Sequence, residues 1–282
     1  MTDKIIELAN VIKRNTKTEN YSIKIESDNP EIYDSKIGGL PYWTDNEYPV
    51  GPDDQKLFLL AQINFEKEKV DSPLPTTGML QFFILDDDLN GLDFDDPVKQ
   101  VGFKVIYHEK VDYNITKESI EKRKEIVEAN SDIECNPLEG EFKISLHKNV
   151  DYIYNSDYRF DEIFKKAYKE VYGKEMEGKF YFDVLSDSDS EKLFDEIEKG
   201  DEKGDEKEKA KGNHKMLGYP FFTQTDPRES EKLRIYDTLL FQLDSEGDKV
   251  CWGDVGVCNF FIQKDSLLKK DFSKVLYNWD CY

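Results

Sequence analysis

The sequence predicts an α+β protein with an internally duplicated, mainly antiparallel β-sheet core and peripheral helices. Recurrence is the first observation behind this. Gly39-Leu40-Pro41, Leu59-Leu60-Ala61-Gln62-Ile63 and Gly78-Met79-Leu80-Gln81-Phe82-Phe83-Ile84 return in the same order as Gly218-Tyr219-Pro220, Leu239-Leu240-Phe241-Gln242-Leu243 and Gly256-Val257-Cys258-Asn259-Phe260-Phe261-Ile262, at offsets of 179, 180 and 178 residues. A fourth block, Lys104-Val105-Ile106-Tyr107, returns as Lys274-Val275-Leu276-Tyr277 at an offset of 170. That offset fits if the first copy carries about eight extra residues in the acidic stretch Asp86 to Phe103. The last observation is periodicity: the repeated blocks are strand-length apolar runs bounded by Gly and Pro, whereas helical spacing of apolar residues falls before and between them.

Four regions follow. Residues 1–112 hold an opening helix and the first β-rich repeat, 113–198 a helical and charged insertion, 199–215 a flexible acidic loop, and 216–282 the second repeat, the repeats packing as one globular unit. Ile5, Leu8, Ala9 and Ile12 recur at helical spacing behind a Thr2 cap. Tyr21 to Glu26 alternates as a half-buried strand. Thr116 to Ala129, with Ile120 and Val127 one heptad apart, is expected as an exposed helix, and Asp157 to Tyr172 as an amphipathic one on Phe160, Ile163, Phe164, Ala167, Tyr168 and Val171, closed by Gly173. Phe180 to Leu185 reads as a short strand and Ser190 to Lys199 as a helix. From Lys199 to Gly212 the only apolar residue is Ala210, so ordering this stretch would gain too little burial to offset its entropy.

Composition narrows the functional classes. The 282 residues carry 39 basic and 60 acidic side chains, a net charge of −21, which repels a phosphate backbone and argues against nucleic acid. The same charge favours a basic protein partner. No apolar run approaches the roughly 20 residues that span a bilayer, and the acidic N-terminus lacks secretory character, so a cytoplasmic protein without membrane association is expected. Cys135, Cys251, Cys258 and Cys281 have no C-x-x-C spacing, and His108, His147 and His214 lie in different segments, which speaks for reduced thiols and against a zinc site.

Candidate site residues come from polar positions inside the repeated strands. With two-residue alternation, Gln62 and Asn64 share a face of one strand, as Gln242 and Asp244 do in its counterpart, and Gln81 and Asn259 interrupt the next apolar strand of each copy. Buried amides demand hydrogen-bond partners, so these side chains bond backbone, face solvent or line a polar cleft between the copies that would hold a ligand. Trp43 and the run Trp252-Gly253-Asp254 sit at strand ends and are candidates for partner contact. Asp86-x-Asp88-x-Asn90-Gly91 matches the first half of a calcium loop, but its twelfth position is Pro97 instead of glutamate, and no entering helix precedes it. Calcium at Asp86, Asp88 and Asn90 is therefore an alternative to an acidic hairpin loop. No phosphate loop, G-x-S-x-G or H-E-x-x-H occurs.

The same blocks, with Ile37-Gly38-Gly39-Leu40-Pro41-Tyr42-Trp43, Leu59 to Phe65 and Trp252-Gly253-Asp254-Val255-Gly256, resemble the bacterial YwqG family, a domain of unknown function, over about Ser35 to Tyr282. The resemblance implies an α+β fold with a duplicated β-rich core and a remote kinship to the eukaryotic programmed cell death protein 2 group, linked to ribosomal protein assembly. It brings no catalytic residues, and the cysteine-rich segments of that group are missing here. The leading expectation is a non-catalytic protein-binding module, chaperone-like or toxin-neutralising, for a basic partner. An enzyme or small-ligand binder with a cleft between the copies is the second, and a calcium-binding protein the third.

Overall fold

The computed structural model describes residues 2–44, 46–131, 133–199 and 214–282. In chain order the elements are α1 (Thr2–Thr16), β1 (Thr18–Ile25), β2 (Lys36–Ile37), β3 (Phe58–Asn64), β4 (Met79–Ile84), β5 (Phe103–His108), α2 (Lys117–Glu121), α3 (Lys124–Ala129), β6 (Phe142–Asp151), α4 (Phe160–Tyr172), α5 (Asp187–Glu198), β7 (Lys215–Leu217), β8 (Thr238–Asp244), β9 (Val257–Ile262), α6 (Lys264–Leu268) and β10 (Leu276–Asp280). The strands form one antiparallel sheet in the order β10-β9-β8-β7-β1-β6-β2-β3-β4-β5. The fold is α+β with a mainly antiparallel sheet, as the alternating patterns predict.

The centre of the sheet is the long pair β1–β6, in register from Thr18↔Asp151 to Ile25↔Ile144. On one side β6 pairs with β2, which leads to β3, β4 and β5; on the other β1 pairs with β7, which leads to β8, β9 and β10. The two wings show the same irregularity: the β3–β4 register shifts between Leu59 and Ala61, and the β8–β9 register between Leu239 and Phe241. The wings then fold onto each other. Phe82 stacks on Phe241 at 4.6 Å between centroids, Phe103 packs on Tyr277 at 5.0 Å, and the Tyr277 N–H donates to Pro97 O at 2.9 Å, drawing the two ends of the sheet together.

This arrangement buries β3 and β4 on both faces. Leu60, Ile63, Leu80 and Phe82 point into the core shared with Leu240, Leu243, Phe260 and Ile262, while Leu59 and Phe83 pack outward under Trp43, Tyr48, Ile120 and Ile126. In the second wing Leu239, Phe261 and Leu276 are covered by Phe222, Leu233 and Tyr236. A separate helical cluster joins Ile5, Leu8, Ala9 and Ile12 of α1 to Phe160, Phe164, Ala167 and Val171 of α4 and to Leu193 and Ile197 of α5. Gly173 closes α4 at φ +68°, the left-handed cap its sequence predicts.

Three expectations need correction. Thr116–Ala129 is two short helices, interrupted at Lys122 and Arg123, and its buried residues are Ile120 and Ile126 instead of Ile120 and Val127. Phe180–Leu185 contains a 3-10 turn, Tyr181–Asp183, where the Asp183 carboxylate accepts from the Lys179 and Phe180 N–H groups and curls the chain away from a strand. The span 113–198 includes β6, a central strand, because Ile144 and Leu146 have the sheet on both sides to bury against. The stretch expected as a loop, 199–215, lies outside the described residues from 200 to 213. Among the described residues no helix is long and apolar enough to cross a membrane.

Candidate functional site

The buried amides predicted to mark a site are all at 0 % exposure, and the structure shows what they bond. Gln62 Oε1 accepts from the Tyr42 N–H (3.0 Å) and from Gln81 Nε2 (3.2 Å), and its Nε2 donates to Ile32 O and Asp34 O, both at 2.9 Å. Gln81 Nε2 also donates to Tyr42 O at 2.7 Å, and its Oε1 faces His108 Nε2 at 2.8 Å. Burial pushes His108 down to about 4, so the ring is neutral near pH 7 and Nε2 carries the proton it gives to Gln81. Asn64 donates to Tyr33 O and accepts from the Glu66 N–H. These bonds fasten the 30–43 segment onto the outward face of β3 and β4.

The second wing repeats the device. Gln242 Oε1 accepts from the Phe221 N–H at 2.7 Å and Asn259 Nδ2 donates to Phe221 O at 2.9 Å, holding the 218–223 segment as Gln62 and Gln81 hold Tyr42. Asp244 accepts from the Ser245 N–H, and burial raises its carboxyl above the usual range. Gln62 thus meets Gln81, and Gln242 meets Asn259 through Phe221, but the two pairs sit on faces turned away from each other. Between the wings, where the polar cleft was expected, lie the stacked rings of Phe82, Phe241, Phe260 and Tyr277.

The remaining candidates are dispersed. Trp43 packs on Tyr48, Phe83 and His108 and donates to Asn46 O, a core role. Trp252 is wholly buried beside Trp279, whereas Asp254 is exposed and its carbonyl accepts from the Tyr282 N–H. Of the calcium-loop residues, Asp86 accepts from the Glu134 and Cys135 N–H groups, Asp88 is exposed, and Asn90 is buried at φ +50° with its carbonyl accepting from Tyr277 Oη. Among the described residues no group of three or more His, Cys, Asp or Glu side chains is arranged to hold a metal.

Two charged constellations escaped the sequence reading. Arg228, 1 % exposed, lies between Asp226 (2.7 Å) and Asp157 (3.2 Å), with Arg159 on the other side of Asp157 and the Phe261 ring 4.2 Å below its guanidinium. It is a closed network joining the start of α4 to the second wing. The other involves two lysines at matching places in the wings. Lys215 of β7, 3 % exposed, is paired with the buried Asp151 at 2.9 Å, and Lys36 of β2, 2 % exposed, is paired with the half-exposed Glu141 at 3.7 Å. Lys36 lines a cleft of about 190 Å³ with Pro30, Ile32, Leu40, Lys117 and Glu141. Burial, reinforced by the charge of Lys117, brings Lys36 down to about 8 although Glu141 opposes it. The recurring lysine was legible at an offset of 179 residues, but its surroundings were not.

Residues 35–281 match the family described as a domain of unknown function, DUF1963. The chain belongs to this family. Comparison with curated proteins finds no match. The DUF1963 span contains both wings, the amide fasteners and both buried lysines, but begins after β1, the strand that joins β6 to β7 at the centre of the sheet.

Proposed function

We propose that the protein is a non-catalytic binding module that holds a basic protein partner on the surface formed by the 86–97 loop and the C-terminal strand. The observation that carries this reading is a set of exposed apolar side chains standing among carboxylates. Phe94 is 74 % exposed, Tyr282 70 %, Val255 59 % and Leu89 37 %. Two backbone anchors support this reading: Trp279 Nε1 donates to Leu89 O at 2.6 Å, and the Tyr282 N–H donates to Asp254 O, next to Val255, at 3.2 Å. Around them run Asp86, Asp87, Asp88, Asp93, Asp95, Asp96 and Asp254, in a chain of net charge −21. Aromatic anchors supply contact area and the carboxylates select and steer a cationic surface. The amide candidates support the non-catalytic side of the reading, since Gln62, Gln81, Gln242 and Asn259 each bond the protein's own backbone.

The test is retention of protein from native lysate at low and high salt, on wild type and two variants, Phe94→Ser with Tyr282→Ser and Asp95→Asn with Asp96→Asn. A basic protein held at low salt, released at high salt and lost in both variants is the expected result. Equal retention by wild type and variants, or none at low salt, overturns the reading.

A further inference from the structure

The four cysteines stand in two kinds of surroundings. Cys258 is wholly buried in β9, where burial pushes its thiol well up, and the Cys135 thiol is raised by burial and by the carboxylates of Asp86 and Asp88. Both are thereby held in the protonated form, which does not attack a disulfide. Cys251 is exposed and Cys281 half-buried. These two lie 30 residues apart in the chain, and the fold brings both to one residue, Gly253.

The connection between β8 and β9 makes the meeting place. The Gly256 N–H donates to Trp252 O at 2.7 Å and closes a turn, which the wholly buried Trp252 holds onto the core. Cys251 stands at the entry, its N–H fixed on Pro137 O at 2.8 Å, and its Sγ donates to Gly253 O at 3.4 Å. The β9–β10 ladder ends at Val257↔Asp280, and Cys281 comes next, kept beside the turn by the Tyr282 N–H on Asp254 O. Cys281 Sγ lies 2.9 Å, and its Cβ 3.3 Å, from the point that a Cβ of residue 253 would occupy. Gly253, left-handed at φ +52°, has no such atom. Both sulfurs thus touch a residue that has no side chain to keep them apart.

We propose that Cys251 and Cys281 are a modification site, a thiol pair that closes reversibly into a disulfide and clamps the segment after β10 to the 251–256 turn. The oxidant is a low-molecular-weight disulfide of the glutathione class. The thiolate of Cys251, the more exposed of the two, attacks one sulfur of the oxidant and expels a thiolate; the Cys281 thiolate then attacks the Cys251 sulfur of the mixed disulfide and expels the second. One S–S bond breaks in the oxidant and one forms in the protein. The cysteines give up two protons and two electrons, and the oxidant leaves as two thiols. Excess small thiol runs the exchange backwards. Because the fold has already brought the ends of the intervening loop together, the entropy of closing it does not oppose the bond, and an exposed turn with glycine at 253 can make the small shift that disulfide geometry demands.

The inference is independent of the protein partner proposed above, although Val255 and Tyr282 of that surface adjoin the pair in sequence. Its test is equilibration of the reduced full chain in buffers of reduced and oxidised glutathione, native and in urea, followed by acid quenching, intact mass and non-reducing peptide mapping. The native chain is expected to lose about 2 Da, the mass of two hydrogens, and to yield one linked peptide joining Cys251 to Cys281. Its equilibrium constant for closure is expected to exceed that of the urea-unfolded chain by about tenfold or more, since only the fold holds the thiols together. Cys251→Ser and Cys281→Ser should each stop at a mixed glutathione disulfide, while Cys135→Ser should behave as wild type. Mixed disulfides alone in the wild type, a link through Cys135, a link between two chains, or closure no more favourable in the native than in the unfolded chain overturns the proposal.

Discussion

Lys36 and Lys215 show how one residue type in two like settings acquires opposite energetics. Removing the ammonium of Lys215 strands Asp151, 2 % exposed, whose second oxygen is held by the Tyr152 N–H. Lys215→Met is therefore expected to cost about 3–5 kcal/mol in urea unfolding. Lys36→Met leaves behind only the half-exposed Glu141 and is expected to be neutral or to stabilise by about 1 kcal/mol. The pH dependence follows from the same burial. Lys36 titrates near 8 in the folded protein against 10.5 in the unfolded chain, so the folded state is penalised while the group is protonated and stability rises as pH climbs from about 8 to 10.5. The gain is at most about 3 kcal/mol and is absent from Lys36→Met. His108 acts at the acid end. The unfolded chain takes up its proton near 6.5 and the folded protein only near 4, so stability falls as pH drops through that window. His108→Phe should flatten this acid slope, measured by urea midpoints between pH 4 and 7, at the cost of orphaning Gln81 Oε1.

At the scale of elements, the amides on β3 and β4 act as fasteners for a long irregular segment. Gln62→Leu leaves the Tyr42 N–H and the Ile32 and Asp34 carbonyls without their partner, each buried group costing about 1–3 kcal/mol. Loss of several kcal/mol in denaturant titration, with faster hydrogen exchange at Tyr42, is the expected outcome. The sequence located these amides and required partners for them, yet it could not say which face they were on. Alternation separates the two sides of a strand, but β3 and β4 are buried on both, so neither side carries a polar signature. The short strand expected at Phe180 failed for the complementary reason, because local capping by Asp183 outweighed β propensity. β6 was passed over since only Ile144, Leu146 and Asp151 of its ten residues are buried, too sparse a pattern to read without its neighbours.

For the whole molecule, stability resides where the wings meet. Phe82 touches both Phe241 (4.6 Å) and Phe260 (4.9 Å), so Phe82→Ala removes contacts across the seam and should cost about 3–5 kcal/mol. Because β1 and β6 tie the wings together and the rings interlock between them, tryptophan fluorescence and far-UV circular dichroism are expected to report one coincident unfolding transition. Separate transitions would show that the wings unfold independently. The sequence by itself determined the class of fold, the strand-bearing blocks, the helices carrying an apolar stripe and the excess of acidic side chains, since all of these are written in local spacing and composition. Tertiary structure alone decided that β1 and β6 pair at the centre, that the amides face outward and that one buried lysine meets a buried carboxylate while the other meets a half-exposed one. Those outcomes depend on which distant segment arrives: Asp151 reaches Lys215 across 64 residues, and Glu141 approaches Lys36 across 105. Electrostatic partnership is fixed by proximity in space, and no periodicity along the chain encodes it.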